Sequence, residues 1–350
     1  MEKKLKAAVL LTNSFLTSYG GIGPFVRNLD IDLCHYFDLQ YFFLPERLEK
    51  VRLVPHRLLF VFFLLWKFRQ LKQNDVIISH SPEGSLVATY TFKPLVHVFH
   101  GNTNPMDISR FRFGKYLSWV FDYIHKVIYA KAFLLYSVGE KRPGAKKFVN
   151  PIAHEVQIKK TSDREGFIFA GRLEKGKCIP KIIEAYSWLP AQIKANHKLY
   201  IAGSGSELPN LKELVKKISL VDKVVFLGNM DNRSLIEITS SRKLLLMASA
   251  FEGFPMAIAE AFSVGIPVLS TAVGDIPQFV KSGFCGLLYP VEFNPKDYAK
   301  GIESILEDYT SYAESALVAS RPFDAKEITR DFAQDILTQL KLNSLSVLAG

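Results

Sequence analysis

A two-part α/β architecture, each part a doubly wound parallel sheet, is the fold class this sequence predicts. Three observations carry the expectation. Short apolar runs alternate with stretches of helical period along the chain. The runs are continuous rather than alternating, as strands buried on both faces are. The alternation then starts over after Asn150 to Gly166, a polar segment containing Pro151 that reads as a linker. A length of 350 residues also favours two domains.

The first strand is residues 5–12. It runs into a glycine-rich turn at 18–24 with Gly20 and Gly21, then a helix from about Phe25 to Phe37. Strand, glycine turn and helix open a doubly wound unit, and those glycines let a ligand approach the backbone closely. A second strand is expected at 40–44 and a helix at 55–72. Asp75 to Ser79 is a strand ending at His80, and Leu95 to Phe99 one ending at His100 and Gly101. A long helix at 110–131 precedes the strand Phe133 to Ser137. In the second half, strands are expected at Gly166 to Gly171, Lys198 to Ala202, Val224 to Gly228, Leu244 to Met247 and Val268 to Ser270. Helices are expected at 179–188, 207–218, 231–241, 256–263, 295–308 and 324–341. The first dozen residues imitate a signal peptide. Their apolar core is about six residues, short of the roughly 7–15 of a secretory h-region, so they read as the first strand. No apolar run reaches the ~18 residues of a membrane-spanning helix.

Composition excludes several classes. Cys34, Cys178 and Cys285 are far apart and odd in number, which is no disulfide framework and points to a reducing compartment. The eight histidines form no metal-ligand spacing, so no metal is expected. Residues 1–160 carry 23 Lys and Arg against 12 Asp and Glu, while residues 161–350 carry 21 against 22. The positive excess is therefore all in the first half, where it attracts anions.

The most informative stretch is Ala250 to Ser270. Seven residues separate Glu252 from Glu260. Gly253 and Pro255 mark a loop entering a helix, so the backbone amides of Gly253, Phe254, Pro255 and Met256 are placed around a helix N-terminus. Such an end carries unpaired N–H groups and partial positive charge, a seat for an anion. Glu260 lies two turns further in, where a carboxylate on an apolar helix needs a partner. A ribose offers it two hydroxyl donors.

An ordered set of motifs gives the second half a family resemblance. The pieces are Ala170 to Lys177 with Arg172, Ile201 to Gly205, Phe226 to Gly228, Ser249 to Ala261 with both glutamates, Gly265 to Val268, and Gly283 to Leu288. Together they resemble the retaining glycosyltransferases of family 4. Gly20 and Gly21, His100 and Gly101, and Asn150 and Pro151 extend the resemblance more loosely into the first half. It implies the GT-B fold, two Rossmann-like domains facing across a cleft, with bounds near 1–160 and 161–325 and a helix at 326–350 packing back toward the N-terminal domain. It implies a nucleotide-sugar donor as substrate and no cofactor. Arg172 and Lys177 would face the diphosphate, where charge grows as the leaving group departs. Glu252 and His100 would lie by the transferred sugar and Glu260 on the ribose. Gly21, Gly203, Gly228, Met230 and Gly253 to Met256 would complete the donor site. The chain departs from the family at Ser204, Ser206, Asp275 and Gln278, and at Gly176 to Cys178, where the family has Lys followed by Gly.

Two stretches bear on the acceptor, expected to be a glycan, lipid-linked, in cell-surface polysaccharide synthesis. Residues 58–66 are apolar all round and flanked by basic residues, which reads as a buried core helix, with a bilayer interface as the alternative. In the helix at 110–131, Leu117, Val120, Phe121 and Ile124 make a core face. Tyr116, Trp119, Tyr123 and Lys126 make an aromatic and basic stripe, near Arg110, Arg112 and Lys115, that suits anionic headgroups. The expectation is a peripheral enzyme on the cytoplasmic face of the plasma membrane, with no nucleic-acid partner. The rivals are a sugar-nucleotide epimerase, an inverting transferase, and a non-catalytic protein binding anionic lipid or nucleic acid. The ordered donor motifs argue against the first two, and the third would not need Arg172, Lys177, Glu252 and Glu260 together.

Overall fold

The structure is a computed structural model. It describes residues 4–12, 22–49, 51, 54–100, 118–138, 142–153, 156–252 and 255–348. The chain divides into two compact units, Met1–Ala153 with Ala325–Gly350, and His154–Asp324.

The first unit runs β1 (Leu5–Leu11), α1 (Ile22–Leu33), β2 (Phe37–Phe43), α2 (Glu46–Glu49), α3 (His56–Trp66), α4 (Phe68–Leu71), β3 (Val76–Ser79), α5 (Pro82–Thr89), β4 (Leu95–His100), α6 (Ser118–Lys131), β5 (Leu134–Val138) and β6 (Lys146–Phe148). Its sheet is parallel, in the order β2-β1-β3-β4-β5-β6. Pleating sends alternate residues to opposite faces. Ala7, Val9 and Leu11 of β1 pack with α1, while Ala8 and Leu10 pack with Phe60 and Leu64 of α3. The last helix, α15 (Ala325–Leu348), belongs to this unit. Its Phe332, Ala333 and Ile336 join the α1 side of the core, and Thr329 Oγ1 donates to Leu29 O at 3.3 Å. Asp335 accepts from the Tyr136 hydroxyl and from Lys146 Nζ.

The second unit runs β7 (Phe167–Ala170), α7 (Ile179–Ser187), α8 (Ala191–Asn196), β8 (Leu199–Ala202), α9 (Leu208–Lys217), β9 (Val224–Gly228), α10 (Asn232–Ser240), β10 (Leu244–Leu246), α11 (Met256–Ser263), β11 (Val268–Thr271), α12 (Ile276–Phe279), β12 (Gly286–Tyr289), α13 (Pro295–Glu307) and α14 (Tyr309–Ser320). The sheet order is β12-β11-β10-β7-β8-β9, again parallel. The hydroxyl of fully buried Tyr298 of α13 lies 3.0 Å from Met247 O and 2.9 Å from Leu269 O, sharing its proton between the end of β10 and β11.

Several elements differ from expectation. The first helix stops at Leu33, and Phe37 instead opens β2 after the turn Cys34 to Tyr36. The helix expected over 55–72 breaks at Lys67 into α3 and α4. It is not buried all round. Phe60 and Leu64 are buried four residues apart, whereas Phe62 and Trp66 are 64% and 75% exposed. A helix lying on one face of a sheet needs only one apolar stripe to cover it. In α6, Phe121 and Ile124 are buried and Trp119 and Tyr123 exposed; Arg110 to Leu117 lie outside the described residues. Helices α2, α5, α8, α12 and α14 and strands β6 and β12 were not expected.

Candidate functional site

In a doubly wound sheet, ligands gather where the strand order reverses, at the carboxyl ends of the strands. In the second unit that reversal lies between β7 and its neighbour β10. The loop after β7 carries Arg172 to Lys177, and the loop after β10 carries Ser249 to Glu252. They are joined directly. Ala250 N–H donates to Gly176 O at 2.8 Å, and the Phe251 ring lies on Gly176, where an added Cβ would sit 2.8 Å from it. This approach brings Lys177 Nζ onto the Glu252 carboxylate, which also accepts from Ser249 Oγ at 2.7 Å. Both side chains are mostly buried, at 21% and 11% exposure. The Arg172 side chain is exposed and makes no hydrogen bond or ion pair with the described residues, while its carbonyl accepts from Glu174 N–H at 3.0 Å. Cys178, where the family has glycine, is left-handed with φ +48° and ψ +37°. That backbone suits glycine, and an L side chain holds it under mild strain.

Glu260 sits on α11 and is 6% exposed. Asn232 Nδ2 donates to its Oε1 at 2.6 Å. Asn232 is the first residue of α10, whose start is fixed by the Asp231 cap accepting from Ser234 N–H at 3.0 Å. Burial pushes the Glu260 carboxyl up to about 7, and the Asn232 hydrogen bond opposes it. The far end of α11 is clamped by Arg164, only 3% exposed. Its guanidinium donates to Gly265 O, to Val264 O at 2.9 Å and to Lys159 O at 2.8 Å.

Gly203 and Gly205 have a packing reason. A Cβ on Gly203 would lie 1.9 Å from Gly171 O, and one on Gly205 2.3 Å from Leu173 O. The loops after β7 and β8 thus pack backbone to backbone, and Leu173 N–H donates to Ser204 O at 2.9 Å. Gly228 ends β9 with φ +73°, and Gly203 N–H donates to its carbonyl at 2.7 Å. Met230 follows in the loop to α10, and Pro255 precedes Met256 at the start of α11. Gly20, Gly21, Gly101, Gly253 and Phe254 lie outside the described residues.

In the first unit the strand order reverses between β1 and β3. Thr12, just past β1, donates through Oγ1 to Glu83 Oε1 at 2.6 Å, and Arg57 Nη1 lies 3.3 Å from Glu83 Oε2. His100 ends β4, and its Nε2 lies 2.9 Å from His80 Nδ1. Burial holds His100 down at about 3 and His80 well below its ordinary value, so both rings are neutral. His97 points to the opposite face, with Nδ1 2.7 Å from Ser85 Oγ, and belongs to the core. Sequence reasoning missed the partners Asn232, Ser249 and Arg164. For the caps on α5 and α10 a signal was present: Ser81 with Pro82 and Glu83, and Asp231, are helix-start signatures.

Residues 152–317 match the family described as Glycosyl transferases group 1. Over 180 residues the chain is 32% identical to the N-acetylgalactosamine-N,N'-diacetylbacillosaminyl-diphospho-undecaprenol 4-alpha-N-acetylgalactosaminyltransferase of Campylobacter jejuni, covering 50% of this chain and 47% of that protein. It is 27% identical to the O-antigen biosynthesis glycosyltransferase WbnH of Escherichia coli, covering 75% of this chain and 78% of that one. Its spans of similarity cover about a third to a half of the length of several curated relatives. Among solved structures, Anabaena Alr3699/HepE in complex with UDP is similar with a TM-score of 0.69 and 17% identity, covering 95% of this chain and 100% of that one. Two parallel six-stranded sheets covered by helices are the GT-B fold class. Residues 152–317, just under half of the chain, thus match the glycosyl transferases group 1 family.

Proposed function

We propose that the chain is a retaining glycosyltransferase that moves a sugar from a UDP- or GDP-type donor to a glycan acceptor, lipid-linked, in cell-surface polysaccharide synthesis. One observation carries the reading. At the reversal point of the second sheet a cation loop and a carboxylate loop are joined, with Lys177 held on Glu252 and Arg172 left open. A diphosphate would take Arg172 and Lys177. Glu252, freed from Lys177, would accept from hydroxyls of the sugar, and Glu260 from those of the ribose. Fixed cations at the leaving phosphate stabilise the transition state more than the ground state. Support for the acceptor class comes from relatives named for O-antigen synthesis and for a diphospho-undecaprenol substrate. Retention rests on the family resemblance alone. The test is the melting temperature with UDP or GDP, followed by sugar release from a panel of nucleotide sugars. No stabilisation by any nucleotide sinks the proposal.

The Glu260 carboxyl sets a pH dependence. Its folded value of about 7 lies above the ordinary 4.5. The stability it contributes to the ligand-free protein is present in full below 4.5 and lost as pH rises through 7. Nucleotide affinity runs the other way, because the ionised form accepts ribose hydroxyls better. Between pH 6 and 8 its ionised fraction rises about tenfold, and calorimetric UDP or GDP affinity is expected to rise several-fold. The terminal phosphate titrates nearby, at roughly 6, so Glu260→Gln is the control. An equal slope in that variant rules Glu260 out.

The acceptor side concerns α3, α5 and α6, which pack side by side on one face of the first sheet. Arg57 of α3 lies 5.2 Å from the centre of the Phe121 ring of α6. Leu58, Phe62, Leu65 and Trp66 of α3 and Trp119 and Tyr123 of α6 are exposed, with Lys67, Arg69 and Lys126 nearby. Apolar rings with a basic fringe suit an anionic bilayer surface. No helix among the described residues is long and apolar enough to cross a membrane. The protein is expected to float with phosphatidylglycerol vesicles at low salt and to detach as salt rises. Flotation unchanged by Trp66→Ala with Phe62→Ala, or no flotation at low salt, removes the surface assignment.

A further inference from the structure

Resting on the transferase reading, we infer that His80 is a positioning residue for His100, fixing its ring and leaving Nδ1 as the ring nitrogen available to a ligand at the carboxyl end of the first sheet. The two histidines meet at the carboxyl ends of adjacent strands β3 and β4, with His80 Nδ1 2.9 Å from His100 Nε2. Between neutral imidazoles this contact is a single N–H···N hydrogen bond, which couples their tautomers.

The two ends of the contact are held differently. His80 is 5% exposed and sits in a turn tied on both sides. Its N–H donates to Leu10 O at 3.0 Å. Ser79 Oγ donates to Ser81 O at 2.9 Å, and Ser81 Oγ accepts from Gly84 N–H at 3.1 Å to cap α5. An added Cβ on Gly84 would lie 2.6 Å from Ser81 Oγ, so the turn admits little change. His100 is the last residue of its strand. Besides His80, its ring is held by Phe25 of α1, edge to face at 4.9 Å. Phe25 also meets His80 at 5.9 Å. Phe25 supplies shape, while His80 supplies the directional contact. A reacting group held by a rigid neighbour keeps the geometry that transfer needs.

The test uses the full chain with ¹⁵N-labelled histidine. In the wild type at pH 7, His100 is expected to show one neutral tautomer. In His80→Leu, Nε2 loses its partner and the nitrogen shifts move toward a tautomer average. His80→Asn, whose amide reaches the same place as Nδ1, restores the single form. Unchanged His100 shifts in a folded His80→Leu overturn the inference without any assay of transfer. If that variant does not fold, His80→Asn decides: a tautomer average there overturns it equally. In the transfer assay, His80→Leu is expected to lower kcat about tenfold and move donor KM less than about twofold, with His80→Asn recovering to within about threefold. The double variant with His100→Ala should be no worse than His100→Ala alone, and losses that multiply overturn the inference. A wild type that turns over no nucleotide sugar, with the tautomer change intact, sinks the transferase reading and leaves the His80–His100 coupling standing.

Discussion

Lys177→Ala is expected to lower sugar transfer by about 10²–10³-fold, the usual loss of one fixed donor to developing charge. Two roles for this lysine need separating. In the ligand-free protein it is the partner of Glu252, which also keeps the Ser249 hydrogen bond. Losing a charge-assisted contact of this kind costs about 1.5–3 kcal/mol, several degrees of melting temperature in a chain this size. That leaves the protein folded at 25 °C, so unfolding does not account for the expected loss in rate. If Lys177 served only to neutralise Glu252, the variant would bind nucleoside mono- and diphosphates equally well. If it meets the diphosphate, affinity for UDP or GDP falls about tenfold while that for UMP or GMP stays within about twofold. Near-normal turnover, or equal losses for both nucleotides, refutes the role.

The reach of the sequence follows from how far apart interacting residues lie. The parallel α/β halves were legible because buried strands write continuous apolar runs. Glu252 and Glu260 stood out because a loop, a helix and a strand succeed one another within about twenty residues. The helix Met256–Ser263 has the bounds expected of it. Elements with a weak local signal were lost. Edge strand β6 reads Lys146, Lys147 and Phe148, which charge blunts as edges often are. Helix α14 follows α13 with no glycine or proline between them, so no boundary was visible. The partners of the site are long-range and leave no local pattern. Asn232 lies 28 residues from Glu260, and Lys177 lies 75 from Glu252. Gly203 looked like a ligand glycine, yet the backbone of Gly171 gives it a packing reason. The exposed face of α3 was hidden by composition, since an all-apolar run does not reveal which stripe the sheet covers.

Arg164→Ala is expected to cost about 2–5 kcal/mol, from two buried carbonyls left without a donor at about 1–3 kcal/mol each, or roughly 10 °C in the melting of the second unit. Arg164 sits in what reads as a featureless linker, yet it is 3% exposed and no carboxylate pairs with it among the described residues. Its partners are carbonyls of two separate segments: Lys159 just before it in the chain, and Val264 and Gly265 beyond the last turn of α11. Those carbonyls carry the negative end of the helix dipole, so a guanidinium there satisfies unpaired acceptors and complements the charge. Nη1 also reaches the Tyr309 hydroxyl at 3.2 Å at the start of α14. Alanine leaves the buried Val264 and Gly265 carbonyls without this donor. Arg164→Lys restores charge but not the planar fork, so it should recover less than half of the loss. Because α11 carries Glu260 about one turn from its start, the damage should reach the donor site. Nucleotide stabilisation is expected to fall in Arg164→Ala even at temperatures where the protein remains folded. A melting point within about 2 °C of wild type would mean that water replaces the guanidinium at these carbonyls, and the clamp on α11 would then have to be sought in Gly265, whose left-handed turn (φ +69°) sends the chain back into β11.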